Sequence, residues 1–140
     1  MLRTYPDPIL GAKSLEVSDT DNWQEPLDEM LALMEEHKAL GVAAIQTGSP
    51  LRMFVMKDGR GHTVVINPQI LVFSKEKTTE SEGCLSVPGA LVLIKRPERI
   101  FVSFRSTPSG VPRKVWFKGQ DARVFQHEFD HLNGKLITER

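Results

Sequence analysis

Two stretches of helical period stand near opposite ends of this chain, and the residues between them read as short strands. Trp23, Leu27, Met30, Leu31 and Met34 fall at i, i+4, i+7, i+8 and i+11, an apolar stripe with the period of an α-helix. Asn22 followed by Glu25 resembles a capping box, and Pro26 falls in the first turn, where proline is tolerated. The second stripe runs through Ala122, Phe125, Phe129 and Leu132, with Val124 beside it, and Asn133-Gly134 is a stop signal. Between the stripes, residues 52–57, 63–68, 70–77, 91–94, 100–104 and 114–117 read as strands, punctuated by Asp58-Gly59-Arg60-Gly61, Arg96-Pro97 and Pro108-Ser109-Gly110. The pattern predicts an α+β single domain over residues 1–140, with antiparallel β-sheets packed around a C-terminal helix and a second helix near the N-terminus. Pro6 and Pro8 mark an irregular N-terminal arm, tucked onto the core by Ile9 and Leu10.

Composition narrows the partners. Eighteen basic and eighteen acidic residues cancel, which argues against nucleic acid or an anionic membrane as the main partner. No apolar run approaches the roughly 20 residues that span a bilayer. The N-terminus lacks the basic and apolar regions of a secretory signal, so the expected location is the cytoplasm. A single cysteine excludes an internal disulfide and fits a reducing compartment.

The segment with the most chemistry is His127-Glu128-Phe129-Asp130-His131. Residues i and i+4 of a helix differ by about 40° in azimuth, so both imidazoles project from one face and reach one ion. Glu128 lies near that ion without having to ligate it, placed to handle a proton of activated water. Histidines four apart also occur on solvated helix faces; the inserted glutamate and the apolar stripe set this pair apart. A catalytic metal needs a third protein ligand and an open position. His37, near a helix end, and His62, in a turn, read as surface residues. Cys84, in Glu82-Gly83-Cys84-Leu85-Ser86, offers a thiolate, although an unpaired cysteine is most often a small buried hydrophobe.

Three segments together resemble the peptide deformylase family. Leu40-Gly41-Val42-Ala43-Ala44-Ile45-Gln46 is similar to its first motif, G-Φ-G-Φ-A-A-x-Q with Φ apolar, though Ala39 stands where the first glycine is usual. Glu82-Gly83-Cys84-Leu85-Ser86 matches the second, E-G-C-L-S, and Gln126 to Gly134 matches the third, Q-H-E-x-D-H-L-x-G. Their order and separation agree, and the similarity extends from Pro6-Asp7-Pro8-Ile9-Leu10 to Gly134. The chain stops at Arg140, where many relatives continue into a C-terminal element; activity is expected without it. Short members of this kind resemble phage or organelle types, so bacterial cytoplasm and host cytoplasm are both open.

The resemblance implies a divalent metal, natively Fe²⁺, held by Cys84, His127 and His131, with Zn²⁺, Ni²⁺ or Co²⁺ as alternatives. It implies hydrolysis of N-formyl-methionyl peptides of nascent chains to formate and a free amine. Glu128 is the implied general base and acid; the Gln46 amide and the Leu85 backbone N–H are the implied donors to the carbonyl oxygen. An extended peptide would pair with Leu40-Gly41 and around Gly83. Leu40, Val124 and the His127 ring are candidates for the methionine pocket, with Arg123 bordering it. Glu82 and Arg96 are expected to pair near the site, with Asp130 and Gln126 in supporting places. A monomer, with at most transient ribosome association and no direct nucleic-acid or membrane contact, is expected.

Two other readings predict different features. A zincin-type endopeptidase shares H-E-x-x-H but needs a third ligand downstream, where Glu139 is the sole candidate. A non-enzymatic module with a structural metal needs a fourth Cys or His close by, and leaves Glu128 and Gln46 unexplained.

Overall fold

Strand β2 (Met53–Asp58) is buried on both faces over Met53 to Met56, and the fold is built around it. A computed structural model describes residues 1–139. Phe54 and Met56 point to one side, where they join Phe125, Ala122 and Leu132 of helix α2 (Gly119–Leu132). Met53 and Val55 point to the other, against Met30, Leu33 and Met34 of helix α1 (Gln24–His37). Alternation along a strand thus serves two helices at once.

The short strand β1 (Gly41–Ala43) repeats the arrangement, with Val42 towards α1 and Ala43 towards α2. It pairs with β2, and the five-stranded sheet continues in the order β1-β2-β3-β6-β7, all antiparallel. Here β3 is Gly61–Phe73, β6 Arg99–Arg105 and β7 Arg113–Lys118. Two further strands, β4 (Lys77–Cys84) and β5 (Val87–Pro97), form a separate hairpin. The α+β arrangement agrees with the sequence reading.

Several boundaries differ. The strands expected at 63–68 and 70–77 are largely one, β3, which ends at Phe73 and whose register slips between Ile66 and Gln69 and again between Ile70 and Val72. Asn67, at φ 52°, makes the first irregularity, and Pro68 has no N–H to give to a ladder. Helix α1 starts at Gln24, and Asn22 exchanges hydrogen bonds with Glu25 just ahead of it. Its buried face adds Leu33 to Met30 and Met34, while Trp23, Leu27 and Leu31 pack half-buried against the same cluster. Gly134 ends α2 at φ 74°, with a carbonyl of Gly11 so near that a Cβ would lie 2.4 Å from its oxygen. The N-terminal arm packs as expected, with Leu10 buried. No helix among the described residues is long and apolar enough to cross a membrane.

Candidate metal centre and active site

Helix α2 is pressed on the sheet by Ala122, Phe125 and Leu132, which turns His127 and His131 towards the β4–β5 hairpin. Cys84 stands at the end of β4, just past a break in register at Gly83. One ligand atom each from Cys84, His127 and His131 lie within 4.8 Å of one another, and Cys84 Sγ is 3.3 Å from His131 Nε2. The cluster contains no fourth residue among those described. Glu139 accepts a hydrogen bond from the Leu136 N–H and takes no part, so the downstream ligand of a zincin is absent from the group. His37 and His62 are exposed, as expected.

The donors suit a first-row divalent cation: one sulfur and two imidazole nitrogens, with room for a further ligand on the cleft side. His127 Nδ1 lies 2.9 Å from Glu82 Oε1 and donates to it, so Nε2 is the ring nitrogen left to reach a metal. Burial alone would lower the His127 imidazole, but hydrogen bonds to Cys84 and Glu82 and the charge of Glu128 push it up to about 10. Burial, with His127 and Arg96 nearby, lowers His131 to about 3, so its imidazole is neutral.

Glu128 is buried, and its Oε1 has no hydrogen-bond partner. Burial, reinforced by Glu82 and Asp130 against the pull of His127 and Arg96, raises its carboxyl to about 7. A buried, unpartnered carboxyl oxygen is costly and marks a place where something else is meant to bind. Its room comes from Gly41: a Cβ there would lie 2.8 Å from Glu128 Oε2 and 2.9 Å from its Cγ.

Gln46 is held at both ends. Its Oε1 accepts from the Ala43 N–H at 2.9 Å, and its Nε2 donates to Ser86 Oγ at 3.0 Å and lies 3.7 Å from Cys84 Sγ. Ser86 Oγ in turn donates to the Arg3 carbonyl at 2.7 Å, and the Arg3 N–H reaches the Gln46 carbonyl. The N-terminal arm therefore straps the Gln46 turn to the cysteine hairpin. Ser86 was legible only as the last letter of a motif.

These groups line a cleft of about 820 Å³. Leu40, Gly41, Gln46, Gly83, Cys84, Leu85, Val124, His127 and Glu128 all border it, while His131 is buried behind them. Leu91 on β5 and Leu2 and Thr4 of the arm also line it, and no pattern in the sequence singled them out. Gly41 is occupied by Glu128 rather than only left open for a peptide. At Gly83 a Cβ would meet nothing nearer than 3.6 Å, so the protein's own packing does not require that glycine.

Glu82 and Arg96 pair as expected, through two bonds of 2.6 and 2.9 Å, and Arg96 also donates to Asp130 at 2.9 Å. Gln126 donates to the Pro97 carbonyl. Arg123 borders the cleft as expected, and its guanidinium also reaches into the hairpin, with bonds to Glu80, Glu82, Thr78 and Ile94. Burial alone would raise the Glu82 carboxyl, but hydrogen bonds from His127, Arg96 and Arg123 hold it well below the usual carboxylate range.

The family model of polypeptide deformylase matches residues 1–140. The chain belongs to the polypeptide deformylase family. A peptide deformylase of Thermotoga petrophila is 41% identical over 140 residues, covering 99% of this chain and 85% of the relative. The crystal structure of peptide deformylase from Thermotoga maritima superposes with a TM-score of 0.94 at 40% identity, over 100% of this chain and 95% of that one. A Met-Ala-Ser-bound class I type b peptide deformylase from Acinetobacter baumannii gives 0.90 at 34% identity, over 100% and 96%. The deformylase fold thus accounts for the whole of α2 and both sheets.

Proposed function

We propose that the chain hydrolyses the formyl group from N-formyl-methionyl peptides, releasing formate, with one divalent ion held by Cys84, His127 and His131. The observation that carries this reading is Glu128: a buried carboxyl with an unpartnered oxygen beside a three-ligand cluster, on the wall of an open cleft. Bound there, the ion supplies a nucleophile at neutral pH by lowering the pKa of water, and polarises the carbonyl under attack. We assign Fe²⁺ as the native ion, with Zn²⁺, Ni²⁺ or Co²⁺ able to occupy the same donors.

Glu128 takes the proton of the attacking water and delivers it to the departing nitrogen, a task suited to a carboxyl near neutrality. The Gln46 amide, aimed at Cys84 by its bonds to Ala43 and Ser86, donates to the carbonyl oxygen as it gains charge, together with the Leu85 N–H. The peptide lies extended between β1 and the Gly83 edge of β4, its methionine against Leu40 and Val124. A related deformylase bound to Met-Ala-Ser supports a peptide of that length in such a cleft. The natural substrate is the N-terminus of nascent chains in the cytoplasm, reached by a single catalytic domain acting as a monomer.

Formyl-Met-Ala and acetyl-Met-Ala separate this reading from its rivals. The account expects formate release from the first, loss of that release on chelation, and at least ~10²-fold slower cleavage of the acetyl peptide, whose methyl must enter the space beside Gln46. Equal rates, or activity insensitive to chelator, would contradict it.

A further inference from the structure

The hairpin that carries Cys84 has little apolar surface to hold it in place. Over β4 and β5 the buried side chains are Glu82, Ile94 and Arg96, only one of them a hydrocarbon. A two-stranded hairpin is marginal by itself. Yet its end has to hold a sulfur a few ångströms from two imidazoles on a different element. Polar cross-links must therefore set that distance.

Of the α2 side chains, Arg123 makes the most bonds to the hairpin, five against fewer from each of Gln126, His127 and Asp130. It lies four residues before His127 and eight before His131, so all three share one helix face. It is buried, and its five guanidinium N–H groups match five contacts on the hairpin. Nε donates to Glu80 Oε2 at 3.0 Å. Nη1 donates to Glu82 Oε2 at 2.6 Å and to the Ile94 carbonyl at 3.0 Å. Nη2 donates to the Thr78 carbonyl at 2.8 Å and to Thr78 Oγ1 at 3.1 Å. Both strands are gripped, β4 at Thr78, Glu80 and Glu82 and β5 at Ile94. The same Glu82 carboxylate receives Arg123 on Oε2 and His127 on Oε1.

We propose that Arg123 is a positioning residue for the metal centre: its guanidinium locks the cysteine-bearing hairpin against the histidine helix and fixes the Glu82 carboxylate that aims His127. The inference rests on the reading of Cys84, His127 and His131 as metal ligands. Lysine does not replace this arginine, because one ammonium cannot reach four residues on two strands.

The test uses the full chain loaded with Co²⁺ and challenged with a chelator. Arg123→Lys keeps the stem and the charge, and Arg123→Gln removes the charge. Both are expected to release cobalt ~10- to 100-fold faster than the parent and to shift the cobalt–thiolate absorption band, as loss of an outer partner of a ligand does. Ile66→Val, in the core cluster on the α1 side, controls for lowered melting temperature and is expected to release cobalt at the parental rate. Parental release and an unshifted band in folded Arg123→Lys would overturn the proposal. The metal reading is checked separately, by the alkylation rate of Cys84 in metal-free protein. Faster alkylation in both variants, with no cobalt uptake by the parent, would keep the clamp and remove the metal site.

Discussion

Gly41 and Glu128 share one small volume: a Cβ on the glycine would sit 2.8 Å from the carboxyl oxygen of the glutamate and 2.9 Å from its Cγ. The two come from different elements, β1 and α2, and the missing side chain of one is the seat of the other. Gly41→Ala is therefore expected to displace the Glu128 carboxyl while leaving Cys84, His127 and His131 together. Turnover should fall by about 10²-fold with metal content unchanged. Steady-state kinetics alongside metal analysis checks this; an alanine variant with parental kcat would show that the glutamate does not need this space.

Burial also gives Glu128 a pH signature in stability. Its carboxyl is raised to about 7, so the folded state disfavours the charged form. A raised carboxyl contributes stability at low pH and loses it as pH rises through the folded value. In metal-free protein, Glu128→Gln should stabilise the fold at pH 8 by on the order of 1–3 kcal/mol, read as a higher melting temperature, and leave it nearly unchanged at pH 5. The opposite order across pH would show that Glu128 is not buried as a charged burden.

Glu82 is the hub of the polar network, receiving Arg96 on both oxygens, Arg123 on Oε2 and His127 on Oε1. Glu82→Gln should leave the two guanidinium groups short of an anion and the His127 tautomer unfixed. Metal affinity is expected to fall ~10- to 100-fold, measured by competition with a chelator. Parental affinity in this variant would mean that His127 is oriented by its helix alone.

Ser86 holds the Gln46 amide from behind at 3.0 Å. Ser86→Ala should free the amide to swing and lower kcat on formyl-Met-Ala by about tenfold. Gln46→Ala, which removes the donor outright, should cost ~10²–10³. A Ser86→Ala effect larger than that of Gln46→Ala would place the hydroxyl itself among the reacting groups.

How much of this was legible in the sequence follows from how each part is stabilised. Helix α2 was readable because its hydrophobic stripe and its chemistry lie on separate faces: Phe125 and Leu132 bind the sheet while His127 and His131 turn towards the β4–β5 hairpin. Strand β2 was readable because Met53 to Met56 are apolar. Strand β4 was not, because Lys77 to Cys84 carries no hydrophobic alternation; it is held by the β5 ladder and by arginines from elsewhere. For the same reason Arg123 read only as a pocket neighbour, which it is, while its five bonds to residues 29 to 45 positions away went unread. The merging of two expected strands into β3 depends on Asn67 taking a left-handed conformation, which binds it to Val17 across 50 residues. No local pattern announces a contact of that kind.

The central claim is that Cys84, His127 and His131 hold one ion whose chemistry Glu128 completes. Metal content and formate release from formyl-Met-Ala, measured on the same samples of the parent chain and Glu128→Gln, test it most directly. The account predicts about one transition-metal ion per chain in both, with turnover in the variant reduced by ~10²–10⁴. Undiminished formate release by metal-loaded Glu128→Gln, or a parent chain that binds no ion, would contradict it.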